Sequence, residues 1–205
     1  MSQENIDVGT SSQRRILWIV LALNVGLAAA FAVTGLSANS SALIANGLDN
    51  LSDSVVYVIT LLALSRSPVW KRGAARVSGI LLILFSAGVL FDVARRFLTG
   101  TEPIGSMMMW MALAAAAVNL LCVWLLKRIR RPDVNIRAAS TFSTNDFVAN
   151  AGVLVGGGLV LWLDQSWPDL AVGLAVAGIA LKGGFDILHD AHHETDRHKK
   201  HVVQR

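Results

Sequence analysis

Apolar residues along this chain fall into six long, continuous runs, at roughly 15–36, 42–64, 76–97, 107–127, 138–162 and 168–188. A helix crossing about 30 Å of hydrocarbon at 1.5 Å per residue needs roughly 20 such residues, and each run is close to that length. The runs do not alternate apolar with polar, which argues against membrane strands. Short polar stretches separate them, at 37–41, 65–76, 99–106, 127–137 and 164–169. Pro68, Pro103, Pro132 and Pro168 all fall in these stretches, at helix ends, where a missing N–H costs least. The pattern predicts an all-α membrane protein with six transmembrane helices. A polar segment at 1–13 precedes the helical domain at 14–188, and a His-rich, charged tail at 189–205 follows it.

The cations orient this arrangement. Arg14 and Arg15 precede the first run. Arg66, Lys71, Arg72 and Arg76 lie between the second and third. Lys127, Arg128, Arg130, Arg131 and Arg137 lie between the fourth and fifth. Lys182, Arg197, Lys199, Lys200 and Arg205 belong to the last run and the tail. If the helices alternate in direction, all these share one side, and of the 18 Lys and Arg only Arg95 and Arg96 fall on the other. Positive charge is retained on the cytoplasmic side, so both termini are expected there, in a multi-pass protein of the inner (plasma) membrane.

Composition agrees with this reading. Hydrophobic residues make up 54% and charged residues 16%, and the mean hydropathy is +0.54. Soluble domains are nearer 45–50% apolar and about 25% charged, so an ordinary soluble enzyme or a disordered chain is excluded. The formal charge of +4 is a topology signal with some attraction for anionic lipid, and no nucleic-acid partner is expected. Cys122 is the single cysteine, so no disulfide framework or cysteine metal cluster is available. The polar residues 1–13 and the length of the first run do not resemble a cleaved signal peptide. The residues after 188 are too few and too charged to form a core.

The informative residues are polar groups inside the runs. Asn46, Asp49, Asn50 and Asp53 are spaced i, i+3, i+4, i+7 and line one face of helix 2. Asp49 and Asp53 are one turn apart, about 10 and 16 Å from the N-terminal end of the helix by its rise. Helix 5 carries Asn145, Asp146 and Asn150, with Asp146 near mid-depth and Asn150 one turn on. A carboxylate at mid-membrane costs roughly 2.5–3.5 kcal/mol even on the lenient insertion scale. No Lys or Arg lies within these two stretches. Three such acids need protons, an imported cation, or both. Carboxylate and carboxamide oxygens suit a hard divalent metal or a proton relay. Protonated aspartates bonding between helices are the structural alternative.

Other polar groups have plainer readings. Asp92 is expected to pair with Arg95 and Arg96, and Asp186 with Lys182, four residues before it. Asn24 and Asn119 are expected to hydrogen-bond between helices. Trp18, Trp110, Trp162 and Trp167 read as interfacial anchors. The small residues at 112–117, 156–158 and 173–178 let helices approach closely. His189, His192, His193, His198 and His201 form either a metal-gathering mouth or a solvated tail.

At residues 40–54, the run Ser-Ser-Ala-Leu-Ile-Ala-Asn-Gly-Leu-Asp-Asn-Leu-Ser-Asp-Ser resembles the helix 2 signature of the cation diffusion facilitators. That signature is a small-residue lead-in, then His or Asp, three residues, then Asp. Residues 145–150, Asn-Asp-Phe-Val-Ala-Asn, resemble the family's helix 5 signature. The resemblance covers roughly 14–190 and implies a six-helix divalent-metal efflux transporter, a proton antiporter and a homodimer, with no cofactor beyond the transported ion. It implies metal ligation by Asp49, Asp53 and Asp146. The family's remaining helix 5 ligand falls on Phe142, which has no donor atom, so Asn150 or Asn46 is the candidate for the missing oxygen. Zinc favours nitrogen and sulfur ligands, so an oxygen-rich set points to a harder ion or weaker zinc binding. The family's cytoplasmic C-terminal domain has no counterpart after helix 6, and a short form is expected.

The expected mechanism is alternating access, with metal and protons competing for the same oxygens. No catalytic residue is assigned, and the protein is not expected to be an enzyme. An intramembrane aspartyl protease would need two facing acids, and Asp49 and Asp53 are too local for that. A proton-coupled exporter of organic cations would need more aromatic residues than Tyr57, Phe142, Phe147 and Trp162 provide around the acids.

Overall fold

The computed structural model describes residues 11–63, 68–128 and 134–203, all of whose regular structure is helical. In chain order the helices are α1 (Ser11–Ser37), α2 (Ser41–Ala63), α3 (Pro68–Thr99), α4 (Gly105–Lys127), α5 (Val134–Leu163) and α6 (Trp167–Val203). All six predicted helices are present. Pro68 is the first residue of α3 and Pro168 the second of α6, where the missing N–H has no intrahelical partner to lose. Pro103 precedes α4, and Pro132 lies outside the described residues.

Two helices outrun the apolar patterns that predict them. α3 starts eight residues before the run at 76, through the loop expected at 65–76, because only its first position is a proline. α6 continues through the segment read as a tail as far as Val203. No Gly or Pro occurs between 185 and 203 to stop it. The side chains of the tail beyond His189, like that of Phe142 and the segment 1–10, lie outside the described residues.

The helices pack as α1 on α2, α3 on α6 and α4 on α5, with α2 also touching α3, α5 and α6. Glycines permit the closest approaches. A Cβ on Gly157 of α5 would lie 2.9 Å from the Gly105 carbonyl oxygen of α4. One on Gly173 of α6 would lie 3.0 Å from the Ser41 carbonyl carbon of α2. Bulky apolar side chains face outward all round, including Trp110, Trp162, Phe91 and Phe97, as a bundle bathed in lipid requires. Among the described residues, α1, α4, α5 and α6 are long and apolar enough to cross a membrane on composition alone, and this is a membrane protein. α2 touches four neighbouring helices, and along its polar stripe Asn46, Asn50 and Ser54 are buried.

Candidate metal centre

α2 brings its polar stripe to the middle of the bundle. Asn46, Asn50 and Ser54 are buried there, while Asp49 and Asp53 are half-buried beside them. Asp146 of α5 is 3% exposed, and Asn150, one turn further, is buried. Asp49, Asp53 and Asp146 line one cavity of about 350 Å³. The charges of Asp49 and Asp146 both bear on Asp53. Acids from two stretches nearly a hundred residues apart in sequence therefore border the same cavity.

The rest of the lining is Ser52 from α2, Leu82 from α3, Asn145 from α5, and Ile179, Ala180, Gly183, Asp186 and Ile187 from α6. Among the described residues it contains four carboxylates and no cationic side chain. Asp186 corrects an expectation. It forms no ion pair with Lys182; both side chains are exposed, a setting in which such a pair gains little, and Asp186 borders the cavity instead. Asn145 also borders an adjoining cavity of about 440 Å³ that shares Asp49 and extends along α5 and α6 to Val172. Sequence spacing flagged Asn145 beside Asp146 but assigned it no role, and α6 contributions were missed because Asp186 had a plausible partner on its own helix.

The amides are arranged differently from the acids. Asn46 Nδ2 donates to Asn150 Oδ1 at 3.0 Å, tying α2 to α5 one turn from the carboxylates. Asn50 Nδ2 donates to its own helix at the Asn46 carbonyl, 3.0 Å away. The Asn150 oxygen that could reach a cation is thus already engaged. Asp146 Oδ2 is fully enclosed and has no hydrogen-bond partner in the protein. The Tyr57 hydroxyl and the Cys122 thiol both lie within reach of the Asp146 charge. Among the described residues no three carboxylate, imidazole or thiol groups stand close enough to grip one ion. The acids share a cavity without converging.

Asn24 and Asn119 depart from the expectation of interhelical bonding. Asn24 Nδ2 bonds back to the Val20 carbonyl of its own helix at 2.9 Å. Both side-chain polar atoms of Asn119 are buried without a hydrogen-bond partner. An amide one turn from a carbonyl on its own helix has a partner without crossing to a neighbour, which is why a lone Asn in an apolar run does not guarantee a contact between helices.

The end of the bundle bearing the α2 N-terminus has a different character. Asp169 of α6 is fully buried. Its Oδ1 accepts from Ser40 Oγ at 2.5 Å and from the Ala42 N–H at 3.1 Å, and its Oδ2 accepts from the Ser41 N–H at 2.8 Å. Ser40 Oγ in turn accepts from the Leu43 N–H at 3.1 Å, as a helix cap does. Ser41 Oγ donates to Asp92 of α3 at 3.2 Å. Asp92 is held as predicted by Arg95 at 2.8 Å and Arg96 at 2.6 Å. Arg96 Nη1 also donates to the Asn39 carbonyl at 2.5 Å.

Comparison with known proteins places this architecture. Residues 17–193 match the pattern of the cation efflux transmembrane domain. The chain belongs to the cation efflux family. Among its relatives, a "Cadmium, cobalt and zinc/H(+)-K(+) antiporter" of Bacillus velezensis is 26% identical over 89% of this chain and 63% of its own length. "Zinc transporter ZitB" of Escherichia coli is 26% identical over 90% of this chain and 63% of its own. "Metal cation efflux system protein CzcD" of Cupriavidus metallidurans is 24% identical over 79% of this chain and 55% of its own. The chain thus spans less than two thirds of the length of these relatives. The match covers all six helices and contains every acid of the central cavity.

Proposed function

We propose that this cation efflux family member exports divalent transition-metal ions by alternating access, exchanging them for protons. The observation that carries this reading is the shared cavity: Asp49, Asp53 and Asp146, from two helices, border one space whose lining, among the described residues, includes no cation. Such a space favours a visiting positive charge. Asp49, Asp53 and Asp146 are the metal ligands, and Asn46 and Asn150 supply further oxygens once their mutual hydrogen bond opens. In the present conformation the acids are apart, so binding requires α2 and α5 to close on the ion. Carboxylates must be deprotonated to ligate, so protons arriving from the opposite side expel the cargo.

The segregation of Lys and Arg supports a cytoplasmic location for both termini and an outer location for the α2 N-terminus, in the plasma (inner) membrane. The names of the relatives point to zinc, cadmium and cobalt as cargo. The His-rich segment from His189 is an accessory cytoplasmic mouth, and a homodimer is the working assembly. Transport and not hydrolysis is the activity.

The test is calorimetric titration of the purified protein with zinc, cobalt, cadmium, manganese and nickel, followed by flux into proteoliposomes. Wild-type protein binds and moves at least one of these ions against a proton gradient, whereas Asp49→Ala and Asp146→Ala variants fold and do neither. Undiminished flux in both variants refutes the site.

A further inference from the structure

We propose that Asp169 is the outer gate residue of this protein: its carboxylate pins the first turn of α2 to α6 and closes the outer end of the pathway, and it must let go for the cavity to open outward. This inference rests on the alternating-access reading.

Three observations point to it. The first is the asymmetry of the molecule. The central cavity is bordered by Leu82, Gly183, Asp186 and Ile187, residues of the halves of α3 and α6 remote from the α2 N-terminus. In the other direction the space between α2, α3 and α6 is filled by Ala45, Val89, Val93 and Leu170, an apolar plug about two turns thick. Above that plug sits Asp169. Beside the plug, the adjoining cavity that shares Asp49 runs along α5 and α6 and ends at Val172, about one turn short of Asp169, so the described lining of both cavities stops below Asp169.

The second is what the seal is made of. Asp169 takes donors from three consecutive residues at the start of α2, at Ser40 Oγ just before it and at the Ser41 and Ala42 N–H groups. Two of these are N–H groups that a helix start leaves without internal partners, and a carboxylate there also meets the favourable end of the helix dipole. Asp92 holds the same turn from α3 through Ser41 Oγ. Gly173, one turn beyond Asp169, leaves the space that lets α2 come this close. The contacts are side chain to helix end, and they can separate as a unit without unwinding either helix.

The third is the connection to the cargo site. Asp49 and Asp53 are on the same rigid helix as Ser41, two and three turns along. A tilt of α2 that frees its first turn from Asp169 moves both acids relative to Asp146 on α5. One motion thus unseals the outer end and rearranges the ligands. A carboxylate with all its donors supplied by a neighbouring helix is a positioning residue here, acting on the site through α2.

The experiment measures sidedness, a property that a merely structural role does not shift. In a Cys122→Ala background, a single cysteine is placed in the plug (Ala45→Cys) or at the inner cavity wall (Ile187→Cys). Each is reacted with a membrane-impermeant methanethiosulfonate applied to one face of oriented vesicles. Asp169→Asn keeps the shape but turns a donor toward the Ser41 N–H. It is expected to raise outer-face labelling at position 45 at least about tenfold, the weight of one lost hydrogen bond to a charged group, and to slow inner-face labelling at position 187. Ser40→Ala, which removes only one donor, moves both rates the same way by less and serves if Asp169→Asn does not fold. Unchanged rates overturn the gate, and so does a parallel rise at both positions, which reports general loosening. No metal is present in this assay. A reciprocal shift in a protein that transports no metal therefore supports the gate and sinks only the cargo assignment.

Discussion

The two ends of α2's first three turns treat buried acids in opposite ways. At the outer end, Asp169 is fully enclosed and both its oxygens are supplied with donors from another helix. Asp92, beside it, is paired with two arginines. Deeper in, Asp146 is enclosed almost as completely, yet one of its oxygens has no partner, and the charge that bears on it is that of another acid, Asp49. Burying a carboxylate is tolerable when hydrogen bonds replace water and costly when they do not. The outer acids are satisfied by the fold and hold it together. Among the described residues the fold leaves Asp146 short of a donor, as the proposed binding of a cation there would need.

That contrast breaks most sharply at Asp146. Asp146→Asn should abolish metal flux, by at least about a hundredfold, because a neutral amide offers neither the charge nor the second oxygen. The same change should leave the protein as stable or more so, since an uncompensated intramembrane carboxylate costs roughly 2.5–3.5 kcal/mol. Flux in proteoliposomes and thermal unfolding in detergent read the two effects separately. A variant that unfolds as it loses flux would turn Asp146 into a structural acid and erase the distinction.

Asp169→Ala is the mirror experiment. It removes three hydrogen bonds to one buried carboxylate and strands the Ser41 and Ala42 N–H groups. At about 1.5–3 kcal/mol for a bond to a charged group, with partial compensation by water at the membrane surface, a loss of about 2–4 kcal/mol is expected. Stability equal to wild type would show that the α2 N-terminus is not held by this residue.

How much of this was legible beforehand differs between the two regions. Four of the helices, α1, α4, α5 and α6, were readable from length and hydropathy alone; α2 and α3 were readable because turn residues bound their apolar runs on both sides. Asp49, Asp53 and Asp146 were readable because intramembrane acids at i, i+4 spacing with no cation in their own stretch have few structural explanations. Asp169 was not, because it stood in a loop beside Pro168 and nothing in a linear sequence pairs it with Ser40, 129 residues away. Asp186 was misassigned for a related reason. A lysine four residues off looked like its partner, whereas an exposed pair gains little and Asp186 borders the cavity that α2, α3 and α5 also line. The extension of α6 to Val203 escaped because hydropathy marks where a membrane could lie and not where a helix ends.

Acidity should separate the two regions again. Metal must displace any protons held by the central carboxylates, so each proton released on binding weakens apparent affinity about tenfold per unit fall in pH, near 1.4 kcal/mol. The sign is fixed: affinity rises as pH rises, and titrations in buffers of different ionisation enthalpy count the protons. Asp169→Asn should leave that proton count unchanged, since Asp169 does not line the cavity, while Asp53→Asn should lower it. An unchanged count in Asp53→Asn would remove Asp53 from the ligand set.

The smallest effect lies within the outer network and sharpens the comparison from inside. Arg95 and Arg96 both bond Asp92 at short distance, so on geometry alone they look equivalent. Their surroundings are not equivalent: the Arg95 side chain is 54% exposed and the Arg96 side chain 8%. Water competes for Arg95 and screens its charge, so Arg95→Ala should cost no more than about 0.2–1 kcal/mol. Arg96 also supports the turn through the Asn39 carbonyl and Thr101, where Asn39 holds a left-handed backbone at φ 50°. Its removal leaves Asp92 and that carbonyl short of a buried donor, at about 1.5–3 kcal/mol. Chemical or thermal unfolding of the two alanine variants side by side measures the difference. Equal losses would mean that burial does not set the strength of this network, and that burial does not separate the outer acids from the central ones.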